Sequence, residues 1–235
     1  MGLGMQGRRN ARLPEIAADG VETTQASTRE QAIVERAIAF FADHGLHGNT
    51  RDLARSIGVS QPLLYHYFPS KDALIARVVE RLYDDRWKPE WRDGLRRADL
   101  SLRQRLEQFY LDYSETILTR EWTRILFFAS LAGMDVHKRH QALVRERALR
   151  PIARELRREC GVGRPDGVSA ADLDLAARLH GAVFQVAVRR WVFDQPPPRS
   201  QAAAIREEIA FFLLGARAQL GERQGAAQGL KLAVG

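Results

Sequence analysis

Residues 50–71 (TRDLARSIGVSQPLLYHYFPSK) narrow the possible folds of this chain more than any other stretch. They predict a short helix, a tight turn at Gly58, and a second short helix that Ser60 caps with its side-chain oxygen. Pro62 falls in the first turn of the second helix, where its missing N–H costs little. Pro69 then ends that helix. The pattern is typical of a helix-turn-helix, which presents its second helix to the major groove of DNA.

The composition favours a helical protein without a membrane anchor. The 235 residues suffice for one large or two modest domains, and 45% of them are hydrophobic. There is no run of about 18 apolar residues, so no transmembrane helix is expected, and the N-terminus lacks the apolar region of a secretory signal. The only cysteine, Cys160, excludes an internal disulfide and fits a reducing compartment. We therefore expect a cytoplasmic protein.

The net charge of +7 suggests an anionic partner, but its distribution limits that inference. Residues 1–80 carry nine basic and nine acidic side chains, whereas residues 81–235 carry 27 basic and 20 acidic ones. The predicted helix-turn-helix therefore lies in a formally neutral region. An argument for DNA binding must rest on which groups face the phosphates, and on two copies acting together.

The pattern before residue 50 predicts one further helix. Residues 1–26 look like a disordered basic N-terminal arm, with no helical period. Thr28 and Gln31 fit a capping box, apolar residues follow at helical spacing, and Gly45 stops the helix. After Pro69, Ser70 caps a fourth helix that runs toward Trp87.

The resemblance to a known family is carried by this region, most specifically by residues 64–74 (LYHYFPSKDAL). Residues 28–75 resemble the DNA-binding domain of the TetR family of bacterial transcriptional regulators. The matching residues are Ala37, Phe41, Gly45, Thr50, Leu53, Ala54, Gly58, Val59, Ser60, Leu64, Tyr65, Tyr67, Phe68, Lys71 and Leu74. The departures are Leu63, where the family often has a small or polar residue, and the unusual Gln61-Pro62 start. They affect the DNA sequence that would be recognised and not the fold.

The resemblance implies an all-α homodimer, with an N-terminal three-helix helix-turn-helix domain and a C-terminal helical effector-binding and dimerisation domain. It places Tyr65 and Tyr67 on or beside the DNA side and Lys71 at a phosphate, although Tyr67 and Leu63 are also compatible with the core. A lysine in a first helical turn is disfavoured by the helix dipole, which independently favours an anionic partner. Base edges would be read by Gln61 and His66, and a thymine methyl group by Leu63 or Pro62. The full set of candidate DNA-binding residues is Thr50, Arg51, Ser60, Gln61, Pro62, Leu63, Tyr65, His66, Tyr67 and Lys71.

We predict four segments in the chain. They are the arm (1–26), the helix-turn-helix domain (27–87), a helical ligand-binding and dimerisation domain (88–221) and a flexible tail (222–235). Within the third segment, apolar spacing predicts helices over about 100–117, 121–132, 135–160 with a kink or restart at Pro151, 170–193 and 201–220. A capping box at Ser169 and Asp172 begins the helix at 170. Small and apolar residues on the last two helices suit either a four-helix dimer interface or packing within one chain.

Aromatic residues are abundant in this second domain, which suggests a cavity for a small, mostly apolar effector. Most of them are expected to be ordinary core, and a few to line the cavity. His180 and Gln185 are candidate polar groups that orient the ligand, although a lone histidine on such a face is more often a core residue. The candidate ligand-binding residues are Trp91, Tyr110, Tyr113, Trp122, Phe127, His180, Phe184 and Gln185.

No catalytic motif is apparent, so we expect no enzyme activity and no cofactor. The pair His137 and His140 has a spacing that metal ligands use, but two cations separate the histidines and no local carboxylate cluster completes a site. The sequence thus predicts a repressor that leaves a palindromic operator in double-stranded DNA when an effector binds. Two alternatives stay open: a small-molecule-binding protein or enzyme that keeps the helix-turn-helix for packing only, and an activator or architectural DNA binder.

Overall fold

A computed structural model describes residues 19–83, 86–134, 136–197 and 199–234. Within those ranges the side chains of residues 19–27, 83, 136, 137, 139 and 223–234 are not described. These ranges contain α-helices, turns and no strand. The predicted all-α class is therefore confirmed for this part of the chain. None of its helices is long and apolar enough to cross a membrane.

The described helices follow the predicted order closely. They are α1 (Asp19–His44), α2 (Thr50–Ile57), α3 (Gln61–Tyr67), α4 (Lys71–Tyr83), α5 (Glu90–Gly94), α6 (Leu102–Thr116), α7 (Arg120–Leu131), α8 (Val136–Val144), α9 (Arg150–Glu159), α10 (Ala170–Trp191) and α11 (Gln201–Val234). A π-helical turn (Arg145–Leu149) joins α8 to α9. In this turn the N–H of Arg150 donates to the carbonyl of Arg145, and Pro151, which has no N–H, follows in the first turn of α9. The chain stays helical from α8 through this turn into α9, so the predicted interruption near Pro151 is a π-helical turn and not a restart.

Two predicted helix ends are wrong. The helix α1 begins at Asp19, so Thr28 lies inside it and does not cap its start. The predicted disordered arm therefore overlaps α1 from residue 19, and residues 1–18 lie outside the described part. The helix α11 continues to Val234, although its end was predicted at Leu220. At the start of α1 and the end of α11 the residues are small and polar with a weak helical period. This pattern suggests a disordered or flexible segment, but in the structure it extends a helix.

Local capping contacts account for the helix ends that were predicted correctly. Asn49 accepts from the N–H of Arg51 at 2.9 Å, which starts α2. Gly58 ends α2 with φ of +74°, a left-handed conformation that favours glycine. Ser169 and Asp172 form the predicted capping box at the start of α10.

Two packed layers share one continuous apolar core. Phe41, Leu53 and Leu64 bury the inner sides of α1, α2 and α3 against one another. In the second layer α6, α7, α9, α10 and α11 pack around Tyr110 and Trp122. The helix α7 contacts both layers, since it packs on α1 on one side and on α10 on the other. It is thus the structural link between the helix-turn-helix and the rest of the chain.

Candidate nucleic-acid interface and ligand cavity

A small polar cluster joins the start of α2 to α3. The Oγ1 of Thr50 lies 3.2 Å from the phenolic oxygen of Tyr65, and the Nε2 of Gln61 donates to the same Oγ1 at 3.4 Å. Gln61 and Tyr65 are one helical turn apart, so their side chains leave α3 on the same side. Tyr65 keeps 40% of its surface exposed. The cluster therefore orients two polar side chains that remain accessible to a partner.

The remaining residues of α3 divide into an outer and an inner face. Pro62 and His66 are exposed, while Leu64 is buried in the core. Leu63 is half-buried and lines a groove against α1, and Tyr67 is half-buried against the core. The outer face of α3 therefore consists of Gln61, Pro62, Tyr65 and His66, with Leu63 and Tyr67 at its edges.

Other predicted contacts surround this outer face. Ser60 accepts from the N–H of Leu63 at 3.3 Å and so caps α3. Arg51 is exposed in the first turn of α2. Lys71 is half-buried in the first turn of α4, where Ser70 accepts from the N–H of Ala73 at 3.0 Å. Exposed helix starts beside cationic side chains are arrangements that bind phosphate.

Two ion pairs join α4 to α1 in the helix-turn-helix domain. Arg77 contacts Glu30 at 3.4 Å and Arg81 contacts Glu35 at 2.7 Å, so these charges hold α4 to α1. Each pair uses one charge of each sign, so the region stays formally neutral and its phosphate contacts must come from the individual side chains around α3.

The second layer contains a cavity of about 550 Å³ between α7, α8, the π-helical turn and α10. Its wall is mostly apolar, with histidines and two exposed cations. The lining residues are Trp122, Leu126, Lys138, His140, Gln141, Ala142, Val144, Arg145, Leu149, Ala177, His180, Gly181 and Phe184. A cavity of this size suits a small organic molecule.

Three of the predicted ligand-binding residues, Trp122, His180 and Phe184, lie on the cavity wall. Phe127 is not in the wall, but its ring stacks on Phe184 with the ring centroids 6.3 Å apart. Gln185 points to another face of α10, where it lines a separate groove beside α11. That prediction is corrected because one residue along a helix turns the side chain by about 100°.

The other three predicted aromatic residues, Trp91, Tyr110 and Tyr113, are corrected to core positions. All three are buried, and they do not line the cavity. Trp91 donates from Nε1 to Asp112 at 2.8 Å and its ring packs at 90° on Phe109. Tyr113 lies behind the cavity wall, with its phenolic oxygen 3.4 Å from Nε2 of His140.

Sequence reasoning missed four polar wall residues, Lys138, His140, Gln141 and Arg145. They lie on α8 and the π-helical turn, in a strongly basic segment that suggested a solvated surface. His140 was considered only as a metal ligand together with His137, whose side chain is not described. In the described part of the chain no group of three or more His, Cys, Asp or Glu side chains could hold a metal ion. The sequence did offer one signal. Gln141 and Arg145 are four residues apart in the basic segment, so on a helix they lie on the same face.

Similarity to known proteins agrees with this geometry. Residues 33–78 match the family model described as bacterial regulatory proteins, tetR family. This chain carries the DNA-binding domain of the TetR family. The match covers α2 and α3 together with the parts of α1 and α4 that pack on them. The resemblance inferred from residues 64–74 is thereby confirmed.

Among TetR-family relatives, the chain is 36% identical over 62 residues to the HTH-type transcriptional repressor KstR2 of Mycolicibacterium smegmatis, covering 26% of this chain and 30% of that protein. It is 33% identical over 70 residues to the HTH-type transcriptional regulator RutR of Escherichia coli, covering 29% of this chain and 33% of that protein. The chain thus spans about a third of the length of these curated relatives.

Similarity of fold extends further than similarity of sequence. The crystal structure of a TetR-like transcriptional regulator from Rhodococcus sp. RHA1 matches 87% of this chain and 100% of its own, with a TM-score of 0.59 and 22% identity. The second layer therefore shares its fold with the corresponding part of that regulator.

Proposed function

We propose that this protein is a homodimeric, sequence-specific DNA-binding regulator of transcription. In this proposal it represses from a palindromic operator and is released by a small, mostly apolar effector. The named relatives support the first part, since they are a transcriptional repressor and a transcriptional regulator. The effector, the palindrome and the dimer rest on the physical arguments that follow.

The observation that carries the proposal is the outer face of α3. A helix kept only for packing needs one buried side, and Leu64 with Phe68 supplies it. Yet Gln61 and Tyr65 are held in place through Thr50 at the protein surface. Ordering exposed polar side chains costs conformational entropy, and contacts to base edges and phosphates would offset that cost. We therefore assign base reading to Gln61 and His66, and phosphate contacts to Tyr65 and Lys71.

The proposed dimer uses the exposed side of α11. Phe211 and Leu214 are 73% and 67% exposed, and Gly215 and Ala218 lie on the same side of the helix. A Cβ on Gly215 would meet no atom within 4 Å, so a second helix has room to approach closely there. An exposed apolar stripe of this kind is typical of an interface between subunits. Two recognition helices would then reach successive major grooves, about 34–36 Å apart.

The proposed coupling between cavity and DNA runs through opposite sides of α7. Trp122 and Leu126 face the cavity. Two residues on from Trp122, Arg124 donates from Nε to the carbonyl of Ala42 at 2.6 Å and from Nη1 to the carbonyl of Trp191 at 3.2 Å. Arg124 therefore ties the ends of α1 and α10 to α7.

An effector in the cavity would act on this three-way connection. Trp122 on α7 and Phe184 on α10 both lie on the cavity wall, and their rings are in edge-to-face contact with the centroids 6.2 Å apart. A ligand that separates these rings would change the separation of α7 and α10. Arg124 could not then keep both of its carbonyl contacts. None of the described lining residues lies on α4, so we assign the first displacement to α7 and α1.

Selection of bound duplexes from a random DNA pool tests the proposed function. We expect enrichment of an inverted repeat with half-sites about 10 base pairs apart, or a near multiple, from centre to centre. The selected duplex then serves to screen small molecules for release. If no sequence is enriched relative to the starting random pool at low salt, the proposal is contradicted, because non-specific binding alone gives no enrichment.

Replacing Arg124 with lysine tests the coupling route. Lysine keeps the charge but lacks the planar fork that reaches two carbonyls at once. We expect the affinity of Arg124→Lys for the selected duplex to stay within about threefold of that of the unmodified protein. The factor by which a releasing compound weakens DNA binding should be at least about fivefold smaller in the variant. Arg103→Lys, in an exposed ion pair on α6, is the matched control. Unchanged release by Arg124→Lys, measured by fluorescence anisotropy, would exclude this route.

A further inference from the structure

Two histidines form the polar inner side of the cavity, and two buried tyrosines pack behind them. The ring centroid of His180 lies 6.1 Å from that of Tyr110 and 5.5 Å from that of Tyr113. The phenolic oxygen of Tyr113 lies 3.4 Å from Nε2 of His140. The ring of His140 packs against Trp122 with the centroids 4.8 Å apart. The two histidines belong to the cavity wall, and the two tyrosines support them from the core.

Both imidazoles are neutral at physiological pH. Burial lowers the pKa of His140 to about 3, with a smaller contribution from the neighbouring His180. Burial alone lowers the pKa of His180 to about 4. A neutral imidazole offers one N–H donor and one acceptor nitrogen. The inner side of the cavity therefore carries hydrogen-bonding capacity without charge.

Part of that capacity is unused. Nδ1 of His180 and the phenolic oxygen of Tyr110 are buried and have no hydrogen-bond partner among the described residues. Buried polar atoms in proteins nearly always have a partner, because an unsatisfied one is costly. Nε2, the other ring nitrogen of His180, is not among these buried atoms, and the ring forms part of the cavity wall. An oxygen atom of a ligand in the cavity can therefore hydrogen-bond the imidazole at Nε2.

The charges around the cavity exclude one class of ligand. Lys138 and Arg145 are exposed at its edge, and none of the described lining residues is an aspartate or a glutamate. A cation would meet the like charge of Arg145 there, and no described carboxylate on the wall would replace its lost hydration. An anionic group would find its charge partners only at the edge, away from the neutral inner side.

We propose that the cavity binds an uncharged, mostly apolar molecule whose hydroxyl or carbonyl oxygen hydrogen-bonds His180. Trp122, Leu126 and Phe184 contact its apolar part. His180 thereby selects ligands by polarity at one defined end. This inference rests on the proposed function only in treating the cavity as the effector site, and its test requires no DNA.

Four biphenyl probes that differ at one position test this inference by isothermal titration calorimetry with the full chain at pH 7.5. The probes are biphenyl-4-ol, biphenyl, biphenyl-4-carboxylate and biphenyl-4-ylmethylammonium. We expect biphenyl-4-ol to bind about 10-fold more tightly than biphenyl, as one buried hydrogen bond provides. We expect the ammonium to bind most weakly. His180→Phe should reduce the ratio between the alcohol and biphenyl to about one, while His47→Phe, an exposed histidine in the other domain, should leave it unchanged.

The probe affinities of the unmodified protein decide the outcome even if His180→Phe does not fold. Three results would overturn the inference. Biphenyl-4-ol and biphenyl could bind equally well, either charged probe could bind more tightly than biphenyl-4-ol, or no probe could bind. A ratio that survives in a folded His180→Phe protein would overturn the role of His180. In each of these cases DNA selection can still succeed, so failure here is distinguishable from failure of the proposed function.

Discussion

Replacing Arg105 with leucine is expected to lower the free energy of unfolding by about 3–5 kcal/mol. Nη1 of Arg105 lies 2.6 Å from a carboxylate oxygen of Glu155 and donates to the carbonyl of Leu95 at 2.9 Å. The two charged side chains are only 9% and 1% exposed. Removing the cation would leave the carboxylate of Glu155 buried between α6 and α9, with a partly exposed Arg158 as its remaining partner.

Urea unfolding at one fixed protein concentration measures this effect, because subunit association would otherwise shift the midpoint. The double variant Arg105→Leu with Glu155→Leu should recover much of the loss, since a buried ion pair is often no more stable than apolar residues of similar volume. Arg103→Leu breaks an exposed pair on the same helix and should cost at most about 1 kcal/mol. A loss below 1 kcal/mol for Arg105→Leu would show that Glu155 finds another partner.

Acidification from pH 7.5 to pH 5 is expected to lower the free energy of unfolding by about 4 kcal/mol through His140 and His180. Their pKa values are about 3 and about 4 in the folded chain and about 6.5 in an unfolded one. The unfolded chain therefore binds more protons below pH 6.5. The stability is fully present above that pH and is lost as the pH falls toward 4, at up to about 1.4 kcal/mol per pH unit for each histidine.

The surroundings of the two rings support the sign of this effect. Tyr110 and Tyr113 face His180 from α6, and their own pKa values are raised by burial, so they stay neutral. Lys138 and Arg145 are the charged residues among those described on the same cavity wall, and a positive charge nearby opposes protonation of the histidines. Thermal unfolding of the double variant His140→Phe with His180→Phe should lose most of the pH dependence between 7.5 and 5. The dependence of a His47→Phe control should be unchanged, and an equal loss in that control would contradict the assignment.

The helix ends around α3 could be predicted because they depend on local chemistry. Asn49, Ser60 and Ser70 each bond an N–H two or three residues away, and Gly58 supplies a left-handed turn. Such contacts require no knowledge of the rest of the fold. The matching residues of the family made the same region recognisable, and residues 33–78 match the family model.

The cavity wall could not be predicted to the same degree because it depends on how helices pack. The sequence pattern predicts an apolar helix face around both Tyr113 and His180, but only His180 lines the cavity. His140 lies in a basic segment, and the π-helical turn that follows changes the direction of the side chains after it. Sequence periodicity reports that a side chain is buried, and not which neighbour it faces.

DNA binding through the outer face of α3 is tested most directly with a double variant that carries both Lys71→Ala and Tyr65→Ala. Its affinity for the selected duplex is compared with that of the unmodified protein. Because both residues are assigned to phosphates, we expect an affinity loss of at least about 100-fold by fluorescence anisotropy, with an unchanged unfolding midpoint. Arg103→Leu should bind normally. Binding by the double variant within threefold of the unmodified protein would contradict the account and leave the helix-turn-helix as a packing element.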